Sequence, residues 1–180
     1  MAAGECSTEE LTQSCLDRIA EREEAVGAWI YLDPELALAQ ARALDAKKKA
    51  GDPLGTLHGL PVGLKDIFDT ADMPTECGSA YYEGRRPIED STTAALLRRA
   101  GAVILGKTVT TEWALSAPGK TANPHDPSRT PGGSASGSAA AVAAAAEAAA
   151  LRDEAAALRA REEEAGRAAL SAGARADGLP

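Results

Sequence analysis

Residues 57–68 read L-H-G-L-P-V-G-L-K-D-I-F, and this stretch decides the fold class. Glycine and proline punctuate a run of leucine, valine and isoleucine, which predicts a short buried strand flanked by tight backbone. A second apolar run, Ala102–Leu105, follows Gly101 and predicts another buried strand. Helical patterns precede each of these strands, so the order of elements is typical of an α/β protein.

Three helices are predicted from capping residues and apolar periodicity. The first opens with a capping box, in which Ser7 is the N-cap and Glu10 reaches back to its amide. The predicted helices run from Ser7 to about Glu24, from Asp33-Pro34 to Gly51, and from Asp90-Ser91 to Arg99. Residues 111–116 are expected to begin another short helix, and residues 117–138 to form a long loop rich in Pro, Gly, Ser and Asn.

Charge and cysteine content exclude several classes of function. The net charge of -8 argues against a nucleic-acid or anionic-membrane partner, because either needs clustered Lys and Arg. Cys6, Cys15 and Cys77 have no C-x-x-C spacing, which favours neither a disulfide framework nor a zinc site. No apolar run reaches the roughly 18 residues of a membrane span, and no signal peptide is visible. We therefore expect reduced thiols in a cytoplasmic protein.

The composition changes at about residue 143. From residue 139 onward about half of the residues are alanine. We therefore predict two segments, a folded domain over residues 1–143 and an Ala/Glu/Arg-rich helical tail over residues 144–180. Alanine, leucine, glutamate and arginine are strong helix formers, but the apolar face of the tail is too small to dock firmly.

Two stretches carry the functional signal. Residues 59–66 read G-L-P-V-G-L-K-D, and residues 130–138 read T-P-G-G-S-A-S-G-S. Together these two stretches resemble the amidase-signature family. The resemblance covers about residues 8–143. The resemblance implies a partial family fold, with a mixed sheet covered by helices, and a Ser–cisSer–Lys triad. Its lysine corresponds to Lys65 and its bridging serine, preceded by a cis peptide bond, to Ser134, with Gly132 and Gly133 in the substrate loop.

The implied chemistry is hydrolysis of a small carboxamide without a metal or an organic cofactor. A serine hydroxyl is a poor nucleophile until a base takes its proton. A lysine acts as a base only in its neutral form, which burial in apolar surroundings favours. Val62, Leu64 and Ile67 are expected to supply those surroundings.

The chain departs from the family pattern where the nucleophile should be. The family's nucleophilic serine lies in a T-x-x-G-G-S segment about two dozen residues beyond Ser134, and no such segment follows Val142. Ser171 is a poor match, so neither a nucleophile nor an oxyanion hole can be identified. We hypothesise a truncated or frameshifted product, or a fragment, that is inactive alone and prone to aggregate or partly unfold. The alternative is a non-catalytic remnant or interaction module of unknown oligomeric state.

Two milder departures concern the kind of amidase. Ala135 stands where a second serine is often found beside the bridging position. Residues 117–121 read A-P-G-K-T instead of the S-T-E-N-S type stretch of glutamyl-tRNA amidotransferase A subunits. The resemblance is therefore greatest to the stand-alone amidases that act on small carboxamides.

A third interpretation is a P-loop nucleotide binder. Residues 101–108, G-A-V-I-L-G-K-T, fit the pattern G-x-x-x-x-G-K-[ST]. The four middle residues are predicted to form a strand, however, and an extended strand cannot curl its amides around a phosphate. His58 and His125 lack the spacing of metal ligands, and Cys77 is expected to be a small structural residue with no base beside it.

Overall fold

The computed structural model describes residues 6–146 of the 180-residue chain. In chain order its regular elements are α1 (Thr8–Val26), β1 (Trp29–Leu32), α2 (Pro34–Lys49), β2 (Pro61–Lys65), α3 (Thr92–Arg99) and β3 (Val103–Thr108). Short 3-10 turns cover Ala80–Tyr82 and Glu112–Ala114. A further helix, α4, begins at residue 136 and is described as far as residue 146.

Within the described residues the strands form one mixed sheet in the order β1-β3-β2. β2 runs parallel to β3, with α3 in the connection between them, and β1 runs antiparallel on the other side of β3. The predicted α/β class with a mixed sheet is confirmed. The register pairs Lys65 with Thr108, which sets the last residues of β2 and β3 side by side.

The sequence of α1 explains where this helix begins and how it is attached. Ser7 Oγ accepts the amide of Glu10 at 3.0 Å and Glu10 Oε2 accepts the amide of Ser7 at 2.7 Å, so the predicted capping box is present. The carboxylate of Asp45 on α2 accepts the amides of Thr8 and Glu9 at 2.8 and 3.0 Å. The backbone amides of the first turn of α1, which have no partners within the helix, are thereby hydrogen-bonded to Ser7 and to Asp45.

The core lies on both faces of β3, and every residue of this strand is buried. Because side chains alternate along a strand, Val103 and Leu105 enter one apolar cluster and Ile104 the other. The first cluster also contains Trp29 and the alanines of α2 and α4, and the second contains residues from β2, α3 and the loop between them: Leu64, Met73 and Ala94. A central strand covered on both faces fixes the ends of β2 and β3 in space.

The chain divides into two units between Ala144 and Ala145, and the described residues lie almost wholly in the first. The predicted tail helix of residues 144–180 lies, beyond residue 146, outside the described residues, and the boundary near residue 143 stays a prediction. None of the helices within residues 6–146 combines the length and the hydropathy that a bilayer crossing requires.

Candidate functional site

Lys65 and Ser134 come together at the end of the parallel strand pair. Lys65 is the last residue of β2 and is half-buried. Its Nζ donates to Ser134 Oγ at 2.5 Å, across 69 residues of sequence. A proton can pass directly between two atoms at this separation, which is the geometry that general base catalysis requires.

Ser134 is held by the loop that leads into α4. The Gly133–Ser134 peptide bond is cis, as the resemblance implies. The carbonyl oxygen of Ser134 accepts the amide of Thr111 at 3.0 Å, which ties this loop to the segment that follows β3. A side chain at position 133 would bring its Cβ to 2.6 Å from Thr111 Cγ2, so only glycine fits there without displacing its neighbour.

Gly132, the other predicted substrate-loop residue, has a positive φ of 85°, and a Cβ added to it would enter open space. Glycine adopts this left-handed conformation without steric cost. Gly132 and Gly133 are both exposed, whereas Ser134 is half-buried. The loop is therefore accessible beside the Lys65–Ser134 pair, and its role in binding a substrate stays a prediction.

The apolar surroundings expected for Lys65 are only partly present. Leu64 is 3% exposed and Val62 is half-buried, but Ile67 is 37% exposed. The exposure of Ile67 does not favour the expectation that it shields Lys65 from solvent, and that expectation stays a prediction. Ile67 lies in the turn after β2, where the chain leaves the sheet and nothing described covers it.

Two hydroxyl residues near the pair were not predicted from the sequence. Thr108, the strand partner of Lys65, shares a hydrogen bond of 2.7 Å between its Oγ1 and Ser138 Oγ. Ser138 lies four residues after Ser134, on the first turn of α4. Ser138 ends the quoted run of residues 130–138, but no local spacing pointed to its bond with Thr108.

A fully buried ion pair joins Asp66, which follows Lys65 in the chain, to Lys107, which precedes Thr108. Lys107 Nζ is 3.1 Å from Asp66 Oδ1, and both side chains are almost completely excluded from solvent. Burial lowers the pKa of Lys107 and raises the pKa of Asp66, while the attraction between the two groups opposes both shifts. Nζ has three acceptors, which match the three donors of an ammonium group. We therefore describe the two residues as a charged pair.

The strand that carries Lys107 contradicts the P-loop interpretation. Residues 103–108 form the extended strand β3, and every one of them is buried. The amides of this strand pair with β1 and β2, so they cannot surround a phosphate. Lys107, the lysine of the apparent motif, is hydrogen-bonded inside the core and cannot reach a nucleotide.

The remaining titratable candidates take no part in the site. Burial raises the pKa of the Cys77 thiol, with a further contribution from the Asp66 carboxylate, and this disfavours the thiolate. His125 is exposed in the loop of residues 117–135. His58 lies before β2 and lines a cavity of about 410 Å³. Neither Lys65 nor Ser134 lines this cavity. Among residues 6–146 no cluster of His, Cys, Asp and Glu has the arrangement of a metal site.

Comparisons with known proteins agree on one family. The family model described as Amidase matches residues 10–153. The glutamyl-tRNA(Gln) amidotransferase A subunit of Acidothermus cellulolyticus is 53% identical over 144 residues, which are 77% of this chain and 28% of that protein. The corresponding protein of Salinispora arenicola is 50% identical over the same share of this chain.

Solved structures show the same relationship in three dimensions. The peptide amidase from Stenotrophomonas maltophilia superposes with a TM-score of 0.73 at 41% identity, over 78% of this chain and 31% of that one. A complex described in connection with the origins of an s-triazine catabolic enzyme has a TM-score of 0.75 at 33% identity, over 80% of this chain and 33% of that one. The chain thus spans about three tenths of the length of the relatives it matches.

Proposed function

The chain belongs to the amidase family, and from this premise we propose that residues 6–146 supply the base and the bridging hydroxyl of an amide-hydrolysing site. The proposal depends on one observation, the 2.5 Å hydrogen bond from Lys65 Nζ to Ser134 Oγ. Lys65 is the general base and Ser134 is the proton relay. Gly132 and Gly133 form the loop along which the substrate lies.

The reaction begins at a second serine, which attacks the carbonyl carbon of a carboxamide. Ser134 Oγ accepts the proton of that hydroxyl while it passes its own proton to the neutral amine of Lys65. The tetrahedral intermediate then loses its amine, which takes a proton back from Lys65 through Ser134. Water hydrolyses the resulting acyl ester by the same route, and the enzyme returns to its starting state.

This chain lacks a recognisable nucleophile for the first step. No T-x-x-G-G-S segment follows Val142, and Ser171 lies outside the described residues. Without a nucleophile and an oxyanion hole the largest contributions to catalysis are missing. We therefore propose that the chain is inactive by itself and that its site is completed by protein outside residues 6–146. A non-catalytic remnant or interaction module is the alternative.

Two functions are compatible with the site, one defined by its substrate and one by its partner proteins. A small carboxamide is the first candidate, because residues 117–121 lack the S-T-E-N-S type stretch. A role as the A-type component of an amidotransferase is the second candidate, and the 53% identity to such a component favours it. The first candidate requires activity on a free amide without a partner protein, and this requirement separates the two.

The decisive experiment is a chimera. Residues 6–146 would replace the matching part of the Stenotrophomonas maltophilia peptide amidase, whose remaining length supplies the rest of the domain. Release of amine from a small carboxamide is the expected result, and it should disappear in the Lys65→Met and Ser134→Ala versions. Lys120→Met, at an exposed lysine, is the matched control.

Three outcomes would contradict parts of the proposal. A folded but inactive chimera would contradict the assignment of the base and the relay. Activity that survives Lys65→Met would assign the base to another group. Amide hydrolysis by the unfused chain would show that a nucleophile is present in it after all.

A further inference from the structure

The buried pair of Lys107 and Asp66 has no part in the proton transfers described above. We propose that these are positioning residues, which hold Lys65 and Ser134 at hydrogen-bonding distance by locking the turn after β2 onto β3. The inference rests on the proposed function, because positioning matters only if Lys65 and Ser134 react together. It also assigns a role to the lysine that the P-loop pattern had singled out.

Lys107 connects β3 to Pro74 and Thr75 in the first half of the segment between β2 and α3. Its Nζ donates to Asp66 Oδ1 at 3.1 Å, to the carbonyl oxygen of Pro74 at 3.0 Å and to Thr75 Oγ1 at 2.6 Å. All three ammonium donors are used, and they point in three fixed directions. A side chain bonded in this way constrains both the start and the end of the loop of residues 66–77.

Asp66 transmits that constraint to Lys65, its neighbour in the chain. The amide of Asp66 donates to the carbonyl of Thr108 at 2.9 Å, and its carbonyl accepts the amide of Cys77 at 3.0 Å. Its second carboxylate oxygen accepts the amide of Glu76 at 3.1 Å. Every polar group of Asp66 is therefore bonded, which fixes the direction in which Lys65 leaves the sheet.

The strand that carries Lys107 also holds the other member of the site. β3 ends at Thr108, and three residues further along the chain the amide of Thr111 donates to the carbonyl of Ser134. Thr108 Oγ1 is bonded to Ser138 Oγ on α4. Lys65 and Ser134 are thus attached to one strand, and a shift of the loop relative to this strand would change the distance between them.

The buried charges are better explained by geometry than by stability. Replacing a buried ion pair by apolar residues of similar volume is often neutral or stabilising, whereas removing one partner is strongly destabilising. A methionine at position 107 would fill the space but could not form directed bonds to Pro74 and Thr75. Stability and positioning can therefore be separated by experiment.

The test compares the whole chain with the single variants Lys107→Met and Asp66→Asn and with the neutral double variant Lys107→Met/Asp66→Leu. Position is measured by the NOE between the ε-methylene of Lys65 and the β-methylene of Ser134, and stability by urea unfolding. Gln40→Leu is the matched control, since it removes two hydrogen bonds to the backbone of Ile104 near the other end of β3.

We expect the single variants to be strongly destabilised and to lose the NOE. The double variant should regain stability while its NOE stays several-fold weaker than in the unsubstituted chain. Gln40→Leu should lose stability and keep the NOE. Recovery of the full NOE in the double variant would overturn the inference even if both single variants failed to fold.

The result is distinguishable from a failure of the proposed function. If Lys107 and Asp66 have no positioning role, the NOE between Lys65 and Ser134 should be equally strong in the unsubstituted chain and in the double variant. If the proposed function is wrong, the NOE behaves as expected while the chimera with the peptide amidase releases no amine. A missing NOE in the unsubstituted chain would overturn both.

Discussion

Thr111 holds Ser134 in place through its backbone and restricts the residue before it through its side chain. Its amide donates to the carbonyl oxygen of Ser134 at 3.0 Å, and its Cγ2 occupies the space into which a side chain at position 133 would point. The hydroxyl of Thr111 is bonded to the carbonyl oxygen of Leu115 at 2.7 Å, so the side chain is not free to rotate away. The loop of residues 132–134 is thus seated against a single threonine.

Gly133→Ala should therefore destabilise the fold. The added Cβ would lie 2.6 Å from Thr111 Cγ2, and overpacking of this kind costs about 1–3 kcal/mol. Urea unfolding followed by circular dichroism measures the loss. Thr111→Ser removes Cγ2 and should restore most of the stability in the double variant.

Gly132→Ala is the control for this contact. A Cβ added at position 132 would meet no atom within 4 Å outside its chain neighbours, but φ there is +85°, so alanine carries only the cost of a left-handed backbone. Thr111→Ser should not rescue it. Equal rescue of both alanine variants would show that the contact with Thr111 is not the cause.

Removal of either member of the Lys65–Ser134 pair should abolish the proposed chemistry with little effect on folding. In the peptide amidase chimera, Lys65→Met and Ser134→Ala should each lower kcat by about 10²–10⁴-fold, the usual contribution of a positioned acid–base group. The measurement is release of amine from a small carboxamide. A loss below tenfold, with the fold intact, would contradict the assigned roles.

Acid should weaken the ion pair between Arg85 and Asp69. The two hydrogen bonds from Arg85, both 2.7 Å long, hold the pKa of Asp69 below its ordinary value. Because the pKa of Asp69 is lower in the folded state than in the unfolded state, the ion pair contributes to the free energy of unfolding above the unfolded-state pKa. This contribution is lost as the pH falls through the folded-state pKa. Both side chains are about one third exposed, so the effect should be small.

The measurement is the urea midpoint of the unsubstituted chain and of Asp69→Asn between pH 7 and pH 3. The midpoints should differ at pH 7 and begin to converge below about pH 4, where the unfolded carboxyl takes up its proton, and they should meet only below the lower pKa of the folded state. Asp52→Asn, at an exposed carboxylate, should show no such convergence. A difference that grows as the pH falls would reverse the sign and reject the assignment.

Nucleotides should not bind to residues 101–108. The strand conformation and the ion pair of Lys107 leave no amides or ammonium group for a phosphate. Isothermal calorimetry with MgATP should give no saturable heat. Saturable binding that disappears in the Lys107→Met variant would restore the P-loop interpretation.

Much of the fold follows from local sequence signals. The capping box and periodicity predicted α1 to within a few residues, and Pro34 and Ser91 marked the starts of α2 and α3. The predicted strand at residues 57–68 is shorter in the structure, because residues 56–59 form turns before β2 begins at Pro61 and a turn follows Lys65. Local rules locate an element well but define its ends poorly.

Other parts of the structure depend on tertiary contacts that no local pattern contains. β1 was not predicted, since four residues between two helices gain their strand conformation from pairing with β3. The expected helix at residues 111–116 is a short 3-10 turn, in which Trp113 and Ala114 have positive φ. The amide of Trp113 is bonded to the carbonyl of Cys77, a partner 36 positions away that propensity cannot anticipate.

The candidate site could be predicted only through the family resemblance. Lys65 and the Gly-Gly-Ser run at 132–134 were identified as motifs, and the structure then gave their distance. The ion pair of Asp66 and Lys107 was missed because each residue looked like part of a different motif. Their pairing depends on the parallel register of β2 and β3, which sets residues 66 and 107 near each other at the same end of the sheet.

The separation of Lys65 and Ser134 along the chain also bears on the order of folding. A contact between residues 69 positions apart closes a long loop, and the entropy of closure must be overcome before the contact contributes. β3 lies between β1 and β2 and pairs with both, so the position of Lys65 at the end of β2 depends on this central strand. Contacts of such high sequence separation slow folding, so we expect the reactive pair to form only after the sheet that carries it has formed.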